Sequence, residues 1–295
     1  MTVPKEYSIS EWAAQFTSEQ DKEFRQAVQT ILLAIASHNE LQASMVLKGG
    51  ILLAIRYRSQ RYTKDIDFST SKIMAELDEN EIAKELNRSL ASVVEELDYG
   101  LDCRVQKCEL FPKRKDATFP SIRITVGYAY KGSNKHKRLQ TKTSPSVVSI
   151  DYSTNEFISS IENFKLTVGE EIQTYSLTDL IAEKYRALLQ QVIRNRNRRQ
   201  DVYDLYFILN EFAGLSDDEK SLILSSLLAK AKPRGLIPNI SSMDDEEVKR
   251  RAGHEYDTLM DETVGELIDF NLAFEYITKF YRSLPWRSSG ARMPQ

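Results

Sequence analysis

Hydrophobic and polar positions follow two different periods along this chain, and the period changes twice. Over the first part, apolar residues recur at helical spacing, with Phe24, Val28, Ile31, Leu32 and Ile35 on one face. Thr17-Ser18-Glu19-Gln20 precedes them and fits a capping box, in which a hydroxyl and a side chain three residues later satisfy each other's backbone N–H groups. The pattern predicts a long helix that ends near Ser37-His38-Asn39. Met45-Val46-Leu47 then reads as a short buried strand, broken by Gly49-Gly50. Ile51 to Tyr57 reads as a short helix and Tyr62 to Phe68 as a second strand. Leu77, Ile82, Leu86, Leu90 and Val94 give an apolar face to a charged helix from Met74 to Leu97.

In the middle of the chain the period drops to two. Ile122, Ile124, Val126, Tyr128 and Tyr130 alternate with Arg123, Thr125, Gly127 and Ala129, which predicts a strand. Lys131 to Lys142 reads as a polar, basic connection and Val147 to Tyr152 as another strand. From Leu177 onward helical spacing returns, through Leu180, Ile181, Tyr185, Leu188 and Leu189, then Tyr203 to Phe212, Leu222 to Leu228 and Leu267 to Phe280. Pro233, Gly235 and Pro238 mark a loop. The polar tail after Pro285 is expected to fray. The order of helix, strand-rich part and helical part is that of an α+β protein, with a boundary near residues 170–176. No internal repeat and no low-complexity tract interrupts it.

Composition narrows the picture only a little. With 295 residues, 41% of them hydrophobic, the chain can bury a large core. Its net charge of −3 means that any nucleic acid must be held by local basic patches. Two such patches exist. One is Arg194, Arg196, Arg198 and Arg199; the other gathers Lys131, Lys135, His136, Lys137, Arg138 and Lys142. The odd spacing of Cys103 and Cys108 would send them to opposite faces of a regular strand, so two reduced thiols are expected rather than a disulfide. The N-terminus lacks an apolar leader, and no apolar run nears the ~18 residues of a membrane span. A soluble, cytoplasmic protein without a membrane partner is expected. His38, His136 and His254 lack metal-ligand spacing. Neither a P-loop nor a Gly-x-Ser-x-Gly elbow occurs, which disfavours those two enzyme classes.

Candidate chemistry concentrates in two neighbouring segments. In Leu47-Lys48-Gly49-Gly50-Ile51 a strand ends in two glycines and a helix begins. Glycine lets backbone approach a ligand, the helix start offers N–H groups to an anion, and Lys48 adds a point charge. Together they make a cradle suited to a triphosphate. In Arg61-Tyr62-Thr63-Lys64-Asp65-Ile66-Asp67-Phe68 the strand period puts Thr63, Asp65 and Asp67 on one face. Carboxylates two residues apart sit roughly 6–7 Å from one another. At an effective dielectric near 20 they repel by about 2.5 kcal/mol. A hard divalent cation such as Mg²⁺ removes that conflict.

Three further positions stand out. Asp151, in Val148-Ser149-Ile150-Asp151-Tyr152, has the parity of Ser149 and lies out of phase with the apolar residues. Lys184 falls on the apolar stripe of its helix between Ile181 and Leu188, where a lysine must snorkel outward or meet an anion. Asp201 and Asp204, three apart on one helical face, follow the arginine run directly.

Lys48-Gly49-Gly50 followed by Arg61-x-Thr63-x-Asp65-Ile66-Asp67 resembles the AbiEii/AbiGii-type toxin nucleotidyltransferases of the polymerase-β-like superfamily. With the segments around Asp151, Lys184 and Asp201-Val202-Tyr203-Asp204-Leu205, the resemblance runs from about residue 45 to 212. It implies a mixed nucleotidyltransferase sheet with flanking helices, followed by a helical C-terminal part. Residues 1–172 would form the core, with the N-terminal helices packed outside, and 173–295 a domain completing the active-site cleft. It implies that Asp65 and Asp67 hold Mg²⁺ or Mn²⁺ and that Lys48, Gly49, Gly50 and Thr63 face the phosphates of an NTP. Lys184 would pair with those phosphates. Asp201 would contact Lys184, the metal-bound nucleotide or the acceptor, and Asp151 or Asp201 would orient or deprotonate the acceptor hydroxyl. The implied reaction moves a nucleoside monophosphate to RNA, tRNA 3′ ends being the leading acceptor, and releases pyrophosphate. Arg194, Arg196, Arg198, Arg199, Lys135, Lys137 and Arg138 would hold the RNA. A toxin role in growth arrest or phage defence, with an antitoxin encoded nearby, belongs to the same implication. Two alternatives stand beside it: a non-catalytic nucleotide- or RNA-binding module of the same fold, and a small-molecule nucleotidyltransferase.

Overall fold

The computed structural model describes residues 8–113 and 117–286. The described residues separate into two compact units, 8–58 with 63–113 and 117–175, and 59–62 with 176–286.

The first unit holds α1 (Ile9–Ala14), α2 (Glu19–Ala36), α3 (Asn39–Ser44), β1 (Val46–Lys48), α4 (Gly49–Tyr57), β2 (Asp65–Ser69), α5 (Glu79–Glu96), β3 (Leu101–Phe111), β4 (Ser121–Tyr130), α6 (Asn134–Gln140), β5 (Val147–Ser153), β6 (Ile161–Lys165) and β7 (Glu171–Tyr175). The strands form one mixed seven-stranded sheet in the order β3-β4-β5-β2-β1-β7-β6. β2 runs parallel to β5 and β1 parallel to β7, while the other neighbours are antiparallel. Strand parity divides this sheet into two faces. Leu47, Phe68, Tyr152 and Ile122 form one cross-strand row and are fully buried, as are Ile66, Ile150 and Ile124 in the row beside it. Helix α2 packs over β3, β4, β5 and β7 and against α5, and α5 covers β3. From Gln26 to Ala36 every residue of α2 is buried. The N-terminal helix is therefore a core element, which corrects the expectation that it packs outside. The residues between, Asp65, Asp67, Ser149, Asp151 and Arg123, occupy the opposite, polar face.

Several boundaries differ from the sequence expectation for identifiable reasons. The cap of α2 is shifted by one residue: Ser18 Oγ accepts from Asp21 N at 3.1 Å, and the Asp21 carboxylate accepts from Thr17 N at 3.1 Å. β2 begins at Asp65, so Thr63 precedes the strand. The expected helix from Met74 divides into a single 3-10 turn, Met74–Glu76, and α5, which starts where Asp78 caps the N–H groups of Asn80 and Glu81. The basic connection contains α6, capped by Ser133. The β6–β7 hairpin was not foreseen. β3 carries a bulge between Val105 and Lys107. The extra residue restores phase, so Cys103 opposes Tyr128 and Cys108 opposes Ile124, which puts both thiols on one face rather than two. Both are nonetheless free.

The second unit is helical: α7 (Leu177–Arg194), α8 (Arg199–Glu211), α9 (Asp217–Ala231), α10 (Glu246–Gly253) and α11 (Phe270–Arg282). α7 is its centre and packs on α8, α9 and α10. Tyr185 of α7 is fully buried against Tyr281 at 5.2 Å between ring centroids, and its hydroxyl donates to Ile277 O at 2.7 Å. Ser59–Tyr62 joins this unit through Tyr62 N to Glu262 O (2.6 Å) and Val264 N to Gln60 O (3.2 Å). The tail expected to fray lies from 287 outside the described residues. Among the described residues no helix is long and apolar enough to cross a membrane.

Candidate active site

Register, more than any single residue, assembles the polar face of the sheet. The pairing of β2 with β5 sets Asp67 opposite Asp151 and Asp65 opposite Ser149. Neighbouring strands lie about 4.8 Å apart, so Asp151 stands nearer to Asp67 than Asp65 does. Three carboxylates thus share one patch. On its other side Asp67 is opposite Lys48 of β1, and Asp151 is opposite Arg123 of β4. The row reads Lys48, Asp67, Asp151, Arg123 across four strands. Lys48 is buried and gives its amine to Ser153 Oγ at 3.3 Å.

The glycine turn abuts this row. Gly49 has φ +74°, in the left-handed region that a side chain disfavours. A Cβ there would fall on the carboxylate oxygen of Asp67 and 2.9 Å from its Cγ. Gly50 is the second residue of α4, whose nine residues present their first N–H groups at this corner.

Asp65 is electrostatically strained. Burial raises the Asp65 carboxyl above its ordinary range and the charge of Asp151 raises it further, while Arg123 and Lys64 oppose. A hard divalent cation relieves this conflict, because carboxylate oxygens are its preferred donors. The donor set and the cradle at Gly49 therefore fit a Mg²⁺- or Mn²⁺-bound triphosphate. Among the described residues no three His, Cys, Asp or Glu side chains are already drawn together as metal ligands. The acids are aligned, not converged.

In the helical unit the remaining candidates form a buried ion cluster. Lys184 is 6% exposed and donates to Asp204 Oδ2 at 2.7 Å and Asp201 Oδ1 at 3.1 Å. Arg61 grips Asp204 with both edges of its fork, Nε to Oδ1 at 2.8 Å and Nη2 to Oδ2 at 2.9 Å. Burial would push the Asp204 carboxyl up, but the charges of Arg61 and then Lys184 hold it at about 2. Burial likewise opposes the Lys184 ammonium, and Asp204 and Asp201 outweigh it, so its pKa is raised. The anions that Lys184 meets in this unit are thus carboxylates. Among the described residues the other Asp201 oxygen, Oδ2, is buried with no hydrogen-bond partner, and Arg198 Nη1 lies 3.8 Å from it.

The basic candidates divide into committed and available groups. Arg199 is tied to Glu262 at 3.0 Å and Lys135 to Glu23 at 3.1 Å. Arg194, Arg196, Lys137 and Arg138 are exposed. The charges of Arg196, Arg234, Arg186 and Arg198 add to partial burial in lowering the pKa of Arg194, so Arg234 extends that patch. Sequence reasoning misses three residues of these two clusters. Arg61 reveals no role in the sequence and takes one only through Asp204. Arg123 and Ser153 enter only through strand register, although the parity of Arg123 against Ile122 and Ile124 was the available signal.

Comparison with known proteins follows the same lines. The model of the family described as "Nucleotidyl transferase AbiEii toxin, Type IV TA system" matches residues 30–278. No curated protein matches. The fold is similar to that of JHP933 from Helicobacter pylori, at 14% identity and a TM-score of 0.50, over 93% of this chain and 97% of that one. It is also similar to a proposed nucleotidyltransferase from H. pylori, at 14% identity and a TM-score of 0.51, over 94% of this chain and 100% of that one.

Proposed function

The chain belongs to the AbiEii nucleotidyltransferase toxin family, and from that premise we propose that it transfers a nucleoside monophosphate from an NTP to an RNA hydroxyl. The acceptor oxygen bonds to the α-phosphorus, the bond from that phosphorus to the β-phosphate bridging oxygen breaks, and pyrophosphate leaves. The observation that carries this reading is the shared face of Asp65, Asp67 and Asp151 with Gly49 pressed against Asp67.

In this reading Asp65 and Asp67 would hold Mg²⁺ or Mn²⁺, which supplies charge neutralisation to the triphosphate. The start of α4 at Gly49 and Gly50 offers N–H groups to the phosphates. Asp151 takes the acceptor proton or orients the hydroxyl that carries it. Lys184, already occupied by Asp201 and Asp204, is assigned to hold Asp201 in place rather than to meet phosphate. Positioning and charge compensation would account for most of the acceleration. As a member of its family the protein would act as a toxin, restrained by an antitoxin encoded nearby, with tRNA 3′ ends as the leading acceptor.

Incubation with each α-labelled NTP, Mg²⁺ and total RNA tests this. Label should enter RNA with the wild-type chain and vanish with Asp67→Ala. Absence of label with every NTP and acceptor would leave the reading without support and point to a binding module.

A further inference from the structure

Arg123 continues the row that runs from Lys48 through Asp67 and Asp151, and Glu109 of β3, itself paired with Lys107 and Lys113, lies opposite it on the far side. The pair Asp67 and Asp151 is therefore flanked by Lys48 on one side and Arg123 on the other, but the two cations are disposed differently. Lys48 is buried, its amine given to Ser153. Arg123 is exposed, and its guanidinium lies over the ring of Phe111 at 4.0 Å rather than forked onto Asp151. β3 supplies that ring, because Phe111 pairs with Ser121 two positions from Arg123, on the same face. A guanidinium held by its flat side keeps its in-plane N–H donors for another group. The row on its own would repel a polyanion, since Asp65 adds a third negative charge to the patch.

We propose that Arg123, kept flat by Phe111, binds a phosphate group of the substrate at the Asp151 end of the acid row. The inference rests on the nucleotidyltransferase reading for the presence of phosphates, either those of the NTP or those of the acceptor backbone. Bidentate donation from the free edge suits either source.

Equilibrium binding separates them without requiring turnover. Magnesium tripolyphosphate, MgATP and a fluorescein-labelled single-stranded RNA would each be titrated into the full chain, as wild type, Arg123→Ala, Arg123→Lys and Phe111→Leu. Loss of one charged fork should weaken the tripolyphosphate and MgATP pair, or the RNA, by about tenfold or more. Arg123→Lys should recover part of the loss, and Phe111→Leu should fall between it and the wild type. The thermal midpoint should stay put, because the side chain is exposed. Affinities of Arg123→Ala within about twofold of wild type for all three probes overturn the inference, as does a wild-type chain that binds none of them. Arg123-dependent binding without any incorporation of label keeps the inference and removes the transferase reading instead.

Discussion

At the scale of single residues, the candidate site is organised by conflict between neighbours. Gly49 is the sharpest case. Its φ of +74° and the Asp67 carboxylate beside it leave no room for a methyl group. Gly49→Ala should cost about 1–3 kcal/mol of stability. It should also lower incorporation at least ~100-fold by displacing Asp67, since small misplacements cost that much. Denaturation and initial-rate measurements on one preparation check both. Asp65 gives the opposite sign. Its pKa is raised on folding, so the unfolded chain binds fewer protons and stability falls as pH rises from the ordinary carboxylate range through the raised value. Asp65→Asn should therefore raise the melting temperature at pH 7 in EDTA, give no gain at pH 3, and abolish activity. A lower melting temperature at pH 7 would count against the electrostatic account. For Asp204 the folded value is depressed to about 2. Its contribution is full above the ordinary value and drains away as pH falls towards 2. Asp204→Asn leaves Lys184 with Asp201 alone and Arg61 without its bidentate anion, at a cost of about 3–5 kcal/mol near neutrality. That penalty should shrink as acid protonates the wild-type carboxyl, which urea titrations at pH 7 and pH 3 would show.

At the scale of elements, the sequence was most legible where one period ran undisturbed. Apolar residues alternate along β4 from Ile122 to Tyr130, and α2 and α7 keep helical apolar spacing, interrupted in α7 by Lys184. Asp65, Asp67 and Asp151 could be placed on polar faces from parity alone. That Asp67 and Asp151 are direct neighbours could not, because register between strands eighty residues apart is decided by the whole sheet. β3 shows why the rest was hidden. Its bulge breaks the period in mid-strand, so parity counted across it assigns Cys108 to the wrong face. The β6–β7 hairpin sits at the sheet edge, where exposed positions such as Ile161 blur alternation. The corrected placement has a measurable consequence. Both thiols lie on one face of β3, Cys103 fully enclosed with its pKa raised by burial, Cys108 pushed up to about 11. Native protein should consume little of a thiol reagent at pH 8, Cys108 reacting slowly and Cys103 only on unfolding. Rapid labelling of both would contradict the strand as described.

At the scale of the whole molecule, the proposed reaction would require a chain whose net charge is −3 to hold a polyanionic acceptor. Long-range attraction cannot do this, so the burden falls on local clusters whose arginines and lysines lack internal acid partners. The structure sorts the sequence candidates on that criterion. Arg199 and Lys135 are spent on Glu262 and Glu23, whereas Arg194 and Arg196 in one unit, and Lys137 and Arg138 in the other, are exposed. Partial burial and then the charges of Arg196, Arg234, Arg186 and Arg198 lower the pKa of Arg194, an arrangement that an arriving anion would relieve. Each phosphate neutralised releases condensed counterions, so the logarithm of affinity for RNA falls linearly with the logarithm of salt. Replacing Arg194 and Arg196 together by alanine should weaken RNA binding uniformly across sequences and flatten that slope by about 1–2. Arg199→Ala should instead lower stability and leave the slope nearly unchanged, because its charge already belongs to Glu262. Fluorescence titrations at several salt concentrations, run for these variants and for Lys137→Ala with Arg138→Ala, would show which patch the acceptor uses. An unchanged slope in the Arg194/Arg196 variant would remove this patch from the acceptor's path while leaving the acid row on the sheet untouched.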